Sequence, residues 1–282
     1  MTLRCSDDLD ATWTDHKAIP LRFPEESGLA LKRVWQITPG RQAEPERLFL
    51  GVEPSCLFES TDRGGSWRPV EGYLKHEHRQ FWTPGNGGLC LHTILLDPAH
   101  SERMLAAQST GGVYRTEDGG ASWQPRNQGV RADFLPEKYP EYGQCVHKVV
   151  HHEARPERFY LENHGGLYRS DDWDDRWEDI ADGVPSDFGF AMAIHPADPE
   201  TVYILPLDGE GRRPVGVKLQ VPVRGMGARP GRGWGTACRR RTRTRPRCAT
   251  AWTRTRSIPP GSISGPAAAR STARAMRARR GR

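Results

Sequence analysis

The sequence predicts an all-β fold assembled from repeated four-stranded antiparallel units, and two observations predict it. The pattern Ser/Thr-x-Asp-x-Gly-x-x-Trp recurs through the chain. Each copy follows a short apolar run and sits inside the same order of runs and turns. The first copy is Ser60 to Trp67, built on Asp62, Gly64 and Trp67, and the second is Thr116 to Trp123, on Asp118, Gly120 and Trp123. The third, Ser170 to Trp177, keeps Asp172 and Trp177 but has Asp174 at the glycine position. The aspartates lie 56 and then 54 residues apart, a fixed period that marks a repeat architecture.

Each copy suits a hairpin turn. The aspartate accepts hydrogen bonds from nearby amides, Gly supplies a positive φ, and Ser or Thr adds a second local bond. The preceding runs, Cys56 to Glu59, Gly112 to Arg115 and Gly166 to Arg169, read as third strands, and Trp opens the fourth. The same order recurs around the copies: an inner strand (Leu89 to Leu96, Cys145 to His151, Phe190 to His195) and then a second strand (Arg103 to Ala107, Arg158 to Leu161, Thr201 to Leu205). Val34 to Ile37 and Arg47 to Gly51 play these parts in the first unit. Four antiparallel strands in about 54 residues make one propeller blade. The chain then divides into a lead-in over 1–32, blades over 33–217 and a basic tail over 218–282.

Over roughly residues 33 to 210 the motif resembles the Asp-box, or BNR repeat, of sialidase-type and related β-propellers. In those proteins the box stabilises the fold and is not catalytic. The resemblance implies a sialidase-like or xyloglucanase-like glycoside hydrolase, or a non-catalytic binding propeller similar to sortilin-type receptors or photosystem assembly factors. A carbohydrate is the partner it implies; no cofactor and no metal are expected. A complete ring would be a monomer.

Charge divides the chain near residue 210. From Gly211 to Arg282 there are 19 Arg, one Lys and no acidic residue, a charge of +20, whereas the rest carries −14. Arginine-rich segments bind nucleic acids, but a tail with one Lys among Ala, Pro, Gly and Thr departs from such arms. Translation out of frame accounts for it better. Read one base earlier, Val223 to Gly231 permits Ser-Arg-Asp-Gly-Gly-x-Thr-Trp, and Arg274 to Gly281 permits Ser-Asp-Glu-Gly-Glu-Thr-Trp. Both fall in phase with the visible copies. As it stands the tail has no apolar periodicity and is expected to be disordered, and an incomplete ring is expected to leave apolar faces open. A third reading of function is therefore an inactive, frameshifted product.

No charged-then-apolar segment opens the sequence, and no run reaches membrane-spanning length, so the expected location is cytoplasmic with no membrane partner. Strand parity puts the turns between second and third strands, and the long linkers between blades, on the face opposite the Asp turns. Loops on a rigid scaffold commonly carry binding groups. Candidate ligand-binding residues there are Trp82, Asn86, Tyr142, Asn163 and His164, with His92 and His147 on inner strands. Glycosidase chemistry needs two carboxyl groups, about 5 Å apart for retention or about 6.5–9.5 Å for inversion. Glu137, Glu141 and Asp187 are the catalytic candidates. Cys90, His92, Cys145 and His147 occupy equivalent inner-strand positions and could converge on a soft metal, although blade packing alone accounts for such residues.

Overall fold

The computed structural model of the 282-residue chain describes residues 3–6, 8, 11–15, 21–215, 221–224 and 275–278. The first sheet holds β3 (Arg33–Pro39), β4 (Leu48–Glu53), β5 (Cys56–Ser60) and β6 (Arg68–Pro69), after two short N-terminal strands, β1 (Leu3–Ser6) and β2 (Thr14–Asp15). The second sheet is β7 (Leu91–Leu96), β8 (Met104–Gln108), β9 (Gly112–Thr116) and β10 (Gln124–Pro125). The third is β11 (Val146–His152), β12 (Arg155–Asn163), β13 (Gly166–Ser170) and β14 (Glu178–Asp179). A fourth, three-stranded sheet holds β15 (Met192–His195), β16 (Asp198–Ile204) and β17 (Val221–Arg224). Within these four sheets every pairing is antiparallel between strands consecutive in sequence, and the inner strands β3, β7, β11 and β15 touch in succession. These are blades of a propeller, each stacked on the next.

Alternation along the strands explains the stacking. In β8, Met104 and Ala106 face a core shared with Phe49 and Leu57 of the first blade, while Leu105 and Ala107 face one shared with Val149 and Phe159 of the third. Likewise Tyr160 and Leu167 of the third blade meet Met192, Val202 and Ile204 of the fourth. Successive side chains point to opposite faces of a sheet, so a blade with neighbours is apolar on both. The first blade's other face is not open, as an incomplete ring suggests; Leu3, Phe23, Leu29 and Leu31 of the lead-in cover Leu50, Val52 and Phe58. Phe23 and Phe58 meet edge to face at 5.2 Å.

The tail departs from its expectation at two places. Val221–Arg224 pairs with β16, and β18 (Ala275–Ala278) pairs with β1, because a sheet edge presents unpaired amides and carbonyls that extended chain satisfies. The frame-shifted motifs proposed across 223–231 and 274–281 otherwise fall outside the described residues. Among the described residues no helix is long and apolar enough to cross a membrane.

The three turns share one hydrogen-bond pattern. Asp62 Oδ1 accepts from Ser66 N at 2.8 Å and Oδ2 from Ser66 Oγ at 2.7 Å, while Ser60 Oγ accepts from Gly64 N at 2.7 Å. Asp118 repeats this with Ser122 N and Oγ, and Thr116 Oγ1 accepts from Gly120 N. In the third turn Asp172 accepts from Arg176 N at 3.2 Å, and Ser170 Oγ accepts from the backbone of Asp174. Gly64, Gly120 and Asp174 have φ of 85°, 103° and 62°. Asp is among the few side chains that tolerate this region.

Asp174 gains something glycine cannot supply. Its side chain is fully buried, and Oδ1 lies 2.8 Å from Arg115 Nη1 on the second blade. Arg115 also reaches the Trp173 carbonyl, Glu117 and Asp175. Burial drives the Asp174 carboxyl up to about 8 while Arg115 draws it down. The oxygen accepts from Arg115 in either protonation state. Trp177 completes the joint: its N–H and Nε1–H donate to the Gln128 and Arg126 carbonyls of the preceding linker.

Two outcomes follow from these turns. Asp174→Gly installs the residue of the other two turns, yet it leaves Arg115 short of a buried acceptor. The loss of a buried pair, about 3–5 kcal/mol, is offset by relief of the left-handed backbone and by the remaining carboxylates. Urea denaturation is expected to show a net loss of about 2 kcal/mol; a gain would exclude the joint. Hydrogen bonds from Ser66 hold the Asp62 carboxyl down at about 2, and those from Ser122 outweigh burial to do the same for Asp118, against an unfolded value of 3.8. The native state then binds fewer protons, so this stabilisation is present above the unfolded value and is lost as pH falls toward about 2. The urea midpoint should fall over that interval, and less steeply in Asp62→Asn/Asp118→Asn.

Candidate functional site

Each linker joins the short fourth strand of one blade to the inner strand of the next. The first linker carries a short helix, α1 (Glu71–Leu74), and a 3-10 turn, Glu77–Phe81, where sequence reading expects open loop. Tyr73 is wholly buried. Trp82 is buried with it, so it is not a ligand platform. Its ring lies 5.4 Å from Tyr73 and 5.3 Å from Tyr114, and its Nε1–H donates to Tyr114 Oη at 3.0 Å. Tyr142 also turns inward, against His78 at 4.3 Å and Phe81 at 5.5 Å. Asn86 is exposed.

The catalytic candidates have different surroundings. Glu141 is exposed, with its charge bearing on His76 and Tyr114 of the first linker and second blade. Asp187 instead pairs with Arg131, Nη2 to Oδ2 at 3.2 Å. Glu137 is exposed, and no contact among the described residues joins it to either.

A cleft does form where the second linker crosses the third blade. Arg131, Asp133, Phe134, Asn163, His164 and Gly165 line a cavity of about 240 Å³. Arg131 builds it by donating from Nη2 and Nε to the Gly165 carbonyl, at 2.7 and 3.2 Å, while pairing with Asp187. One guanidinium thus ties two linkers to the turn between β12 and β13. Asn163 is buried; its Nδ2 donates to the Arg131 carbonyl at 2.6 Å, and its Oδ1 has no protein partner. Phe134 is 50% exposed and meets the His164 ring edge-on at 5.8 Å.

Beside the cleft, the His147 ring lies 4.4 Å from Phe190 and 5.7 Å from His164. His147 Nδ1 is 2.6 Å from the Gly189 carbonyl, an acceptor only, so Nδ1 carries the proton. Nε2 then presents its lone pair 3.5 Å from Cys145 Sγ. Burial pushes His147 down to about 4, so the ring is neutral. The convergence of four inner-strand residues does not occur. Cys90 Sγ engages Ser109 Oγ at 3.2 Å, and His92 Nε2 donates to the Val146 carbonyl at 2.9 Å. Burial takes His92 down to about 3.

Sequence reading names Asn163, His164, Asp187 and His147, and the structure clusters them. It misses Arg131, Phe134 and Phe190, which carry no motif. It also misses Glu162, a buried carboxyl raised by burial to about 8 whose Oε2 lacks a protein partner. Gly189 packs so closely on Glu162 that a Cβ there would lie 2.3 Å from Oε1.

No family model matches the chain. Over 120 residues it is 26% identical to a probable oligoxyloglucan-reducing end-specific xyloglucanase of Neosartorya fischeri, covering 42% of this chain and 13% of that protein. Among solved structures, an ancestral GH74 enzyme shares 17% identity over 68% of this chain and 23% of its own, with a TM-score of 0.47. YCF48 from Cyanidioschyzon merolae shares 14% identity over 72% of this chain and 73% of its own, with a TM-score of 0.34. The chain thus spans about an eighth of the curated relative's length.

Tyr114 is the test of the inward-turned linker. Tyr114→Phe removes the acceptor of Trp82 Nε1 and the partner of His78 Nδ1, 3.2 Å away, without changing ring packing. A buried donor left unpaired costs about 1–3 kcal/mol. Thermal and urea unfolding should show a loss in that range; an unchanged midpoint would mean that Trp82 is not held by this bond.

Proposed function

We propose that the chain is a glycan-binding propeller whose ligand lies on the linker face, across the cleft between the second linker and the third blade. The observation that carries this reading is the cleft itself. A sugar offers apolar C–H faces and a rim of hydroxyls. Phe134 supplies an exposed apolar ring, Arg131 a fixed donor, His164 a ring nitrogen, and Asn163 a buried carbonyl oxygen without a protein partner. Tyr139 and Phe190, 52% and 42% exposed, extend an aromatic surface along the neighbouring linkers. Pockets with a few placed polar groups and aromatic walls are the usual form of ligand sites. The partial likeness to a xyloglucanase favours a neutral β-glucan among glycans.

The reading is one of binding rather than hydrolysis. Both carboxylates beside the cleft are turned to the same guanidinium: Asp187 pairs with Arg131 at 3.2 Å, and Asp133 of the lining lies 3.8 Å from it.

Calorimetric titration with xyloglucan and cello-oligosaccharides should give measurable binding, weakened about ten-fold by Phe134→Ala, a difference of about 1.4 kcal/mol. Glu141→Gln should leave affinity unchanged. Absence of binding across neutral and acidic glycans, by protein whose circular dichroism shows folded β-structure, would reject the proposal.

A further inference from the structure

Cys145, His147 and His164 bring one thiol and two imidazoles together at the upper end of the third blade, with donor atoms within 4.8 Å of one another. Three features distinguish this from chance proximity. First, Cys145 and His147 are two residues apart where β11 begins, and their side chains meet on one side of the chain. A tetrahedral zinc with bonds of about 2.3 Å to sulfur and about 2.05 Å to nitrogen places those atoms about 3.6 Å apart. Cys145 Sγ and His147 Nε2 stand at 3.5 Å.

Second, the nitrogen that faces the sulfur carries the lone pair. The Gly189 carbonyl, supplied by the linker to the fourth blade, takes the Nδ1 proton at 2.6 Å. Metal-binding histidines characteristically donate their other ring N–H in this way, which fixes both tautomer and ring plane. Third, the partners differ in freedom. His147 is clamped between Phe188 and Phe190, with ring centroids at 5.4 and 4.4 Å, whereas His164 sits exposed on the turn between β12 and β13. An exposed side chain can complete the last fraction of the approach by a rotamer change alone.

We propose that Cys145, His147 and His164 form a binding site for zinc or a similar borderline-soft divalent metal. Two imidazoles and a thiolate select such metals over magnesium and calcium, which take oxygen ligands. Binding replaces the proton on Cys145 Sγ with the metal, and that proton leaves to solvent. Three protein ligands leave a fourth position, filled by water or by a ligand atom from the cleft that His164 also lines. Two of the three ligands, Cys145 and His147, lie outside that cleft, so metal binding is testable without a glycan.

Cobalt(II) titration of the full-length, reduced chain tests this directly. One equivalent is expected to bind with a sulfur-to-cobalt charge-transfer band in the near ultraviolet and tetrahedral-type visible bands, both displaced by zinc and neither by magnesium. Cys145→Ser should abolish the charge-transfer band. His164→Ala, at an exposed position that leaves the fold intact by circular dichroism, should weaken cobalt affinity at least about ten-fold. Cys90→Ser should retain both bands. No band in the reduced wild-type chain, an undiminished band in Cys145→Ser, or loss of the band in Cys90→Ser would each overturn the assignment.

Discussion

Every part of this structure depends on one constraint: a four-stranded sheet with two apolar faces cannot cover either by itself. Each blade here lends one face of its strands to the blade before and the other to the blade after, so that Ala106 and Ala107, adjacent in sequence, belong to different cores. Stability in such an array is set at the interfaces between repeats. The first blade meets the same demand by a different route. Its outward face is covered by Leu3, Phe23 and their neighbours, a segment whose sequence shows no repeat.

The Asp turns serve that constraint. They hold the third and fourth strands together, where the fourth strand is only two residues long in each of the first three blades. The side-chain bonds of Asp62, Asp118 and Asp172 replace ladder bonds that so short a strand does not supply. The third turn shows how a departure from the repeat is absorbed. Asp174 keeps the left-handed backbone of glycine and uses its carboxyl to fasten Arg115 across the blade interface.

Blade organisation was legible because period and turn chemistry are local in sequence. Strand order, antiparallel pairing and the face carrying the linkers all follow from the three spaced aspartates. The linker face was less legible, for a physical reason. Trp82 and Tyr142 have the composition of ligand platforms, but the first linker folds into a short helix that carries Trp82 against Tyr114, and Tyr142 of the second linker packs on His78. The groove between blades needed filling, and large aromatics on the linker fill it. Arg131 could not be distinguished from other surface arginines, because its importance lies in reaching Gly165 and Asp187, 34 and 56 residues away. Nor could the partition of Cys90 and His92 from Cys145 and His147 be read from equivalent positions. Ser109 engages the first cysteine and the Val146 carbonyl accepts from the first histidine.

The rim site is consequently a product of stacking rather than of any one blade. Its side chains come from the third blade, its arginine from the linker before, and the carbonyl that orients His147 from the linker after, at Gly189. Gly189 can approach only because it lacks a Cβ, which would run into Glu162 behind it. A buried carboxyl favours its protonated form, so Glu162 can stand beneath this junction without a cation. Any movement of the fourth blade against the third displaces the Gly189 carbonyl, frees the His147 ring to change tautomer, and loosens Asp187 from Arg131 together. The geometry of the rim and that of the blade interface therefore rest on the same contacts.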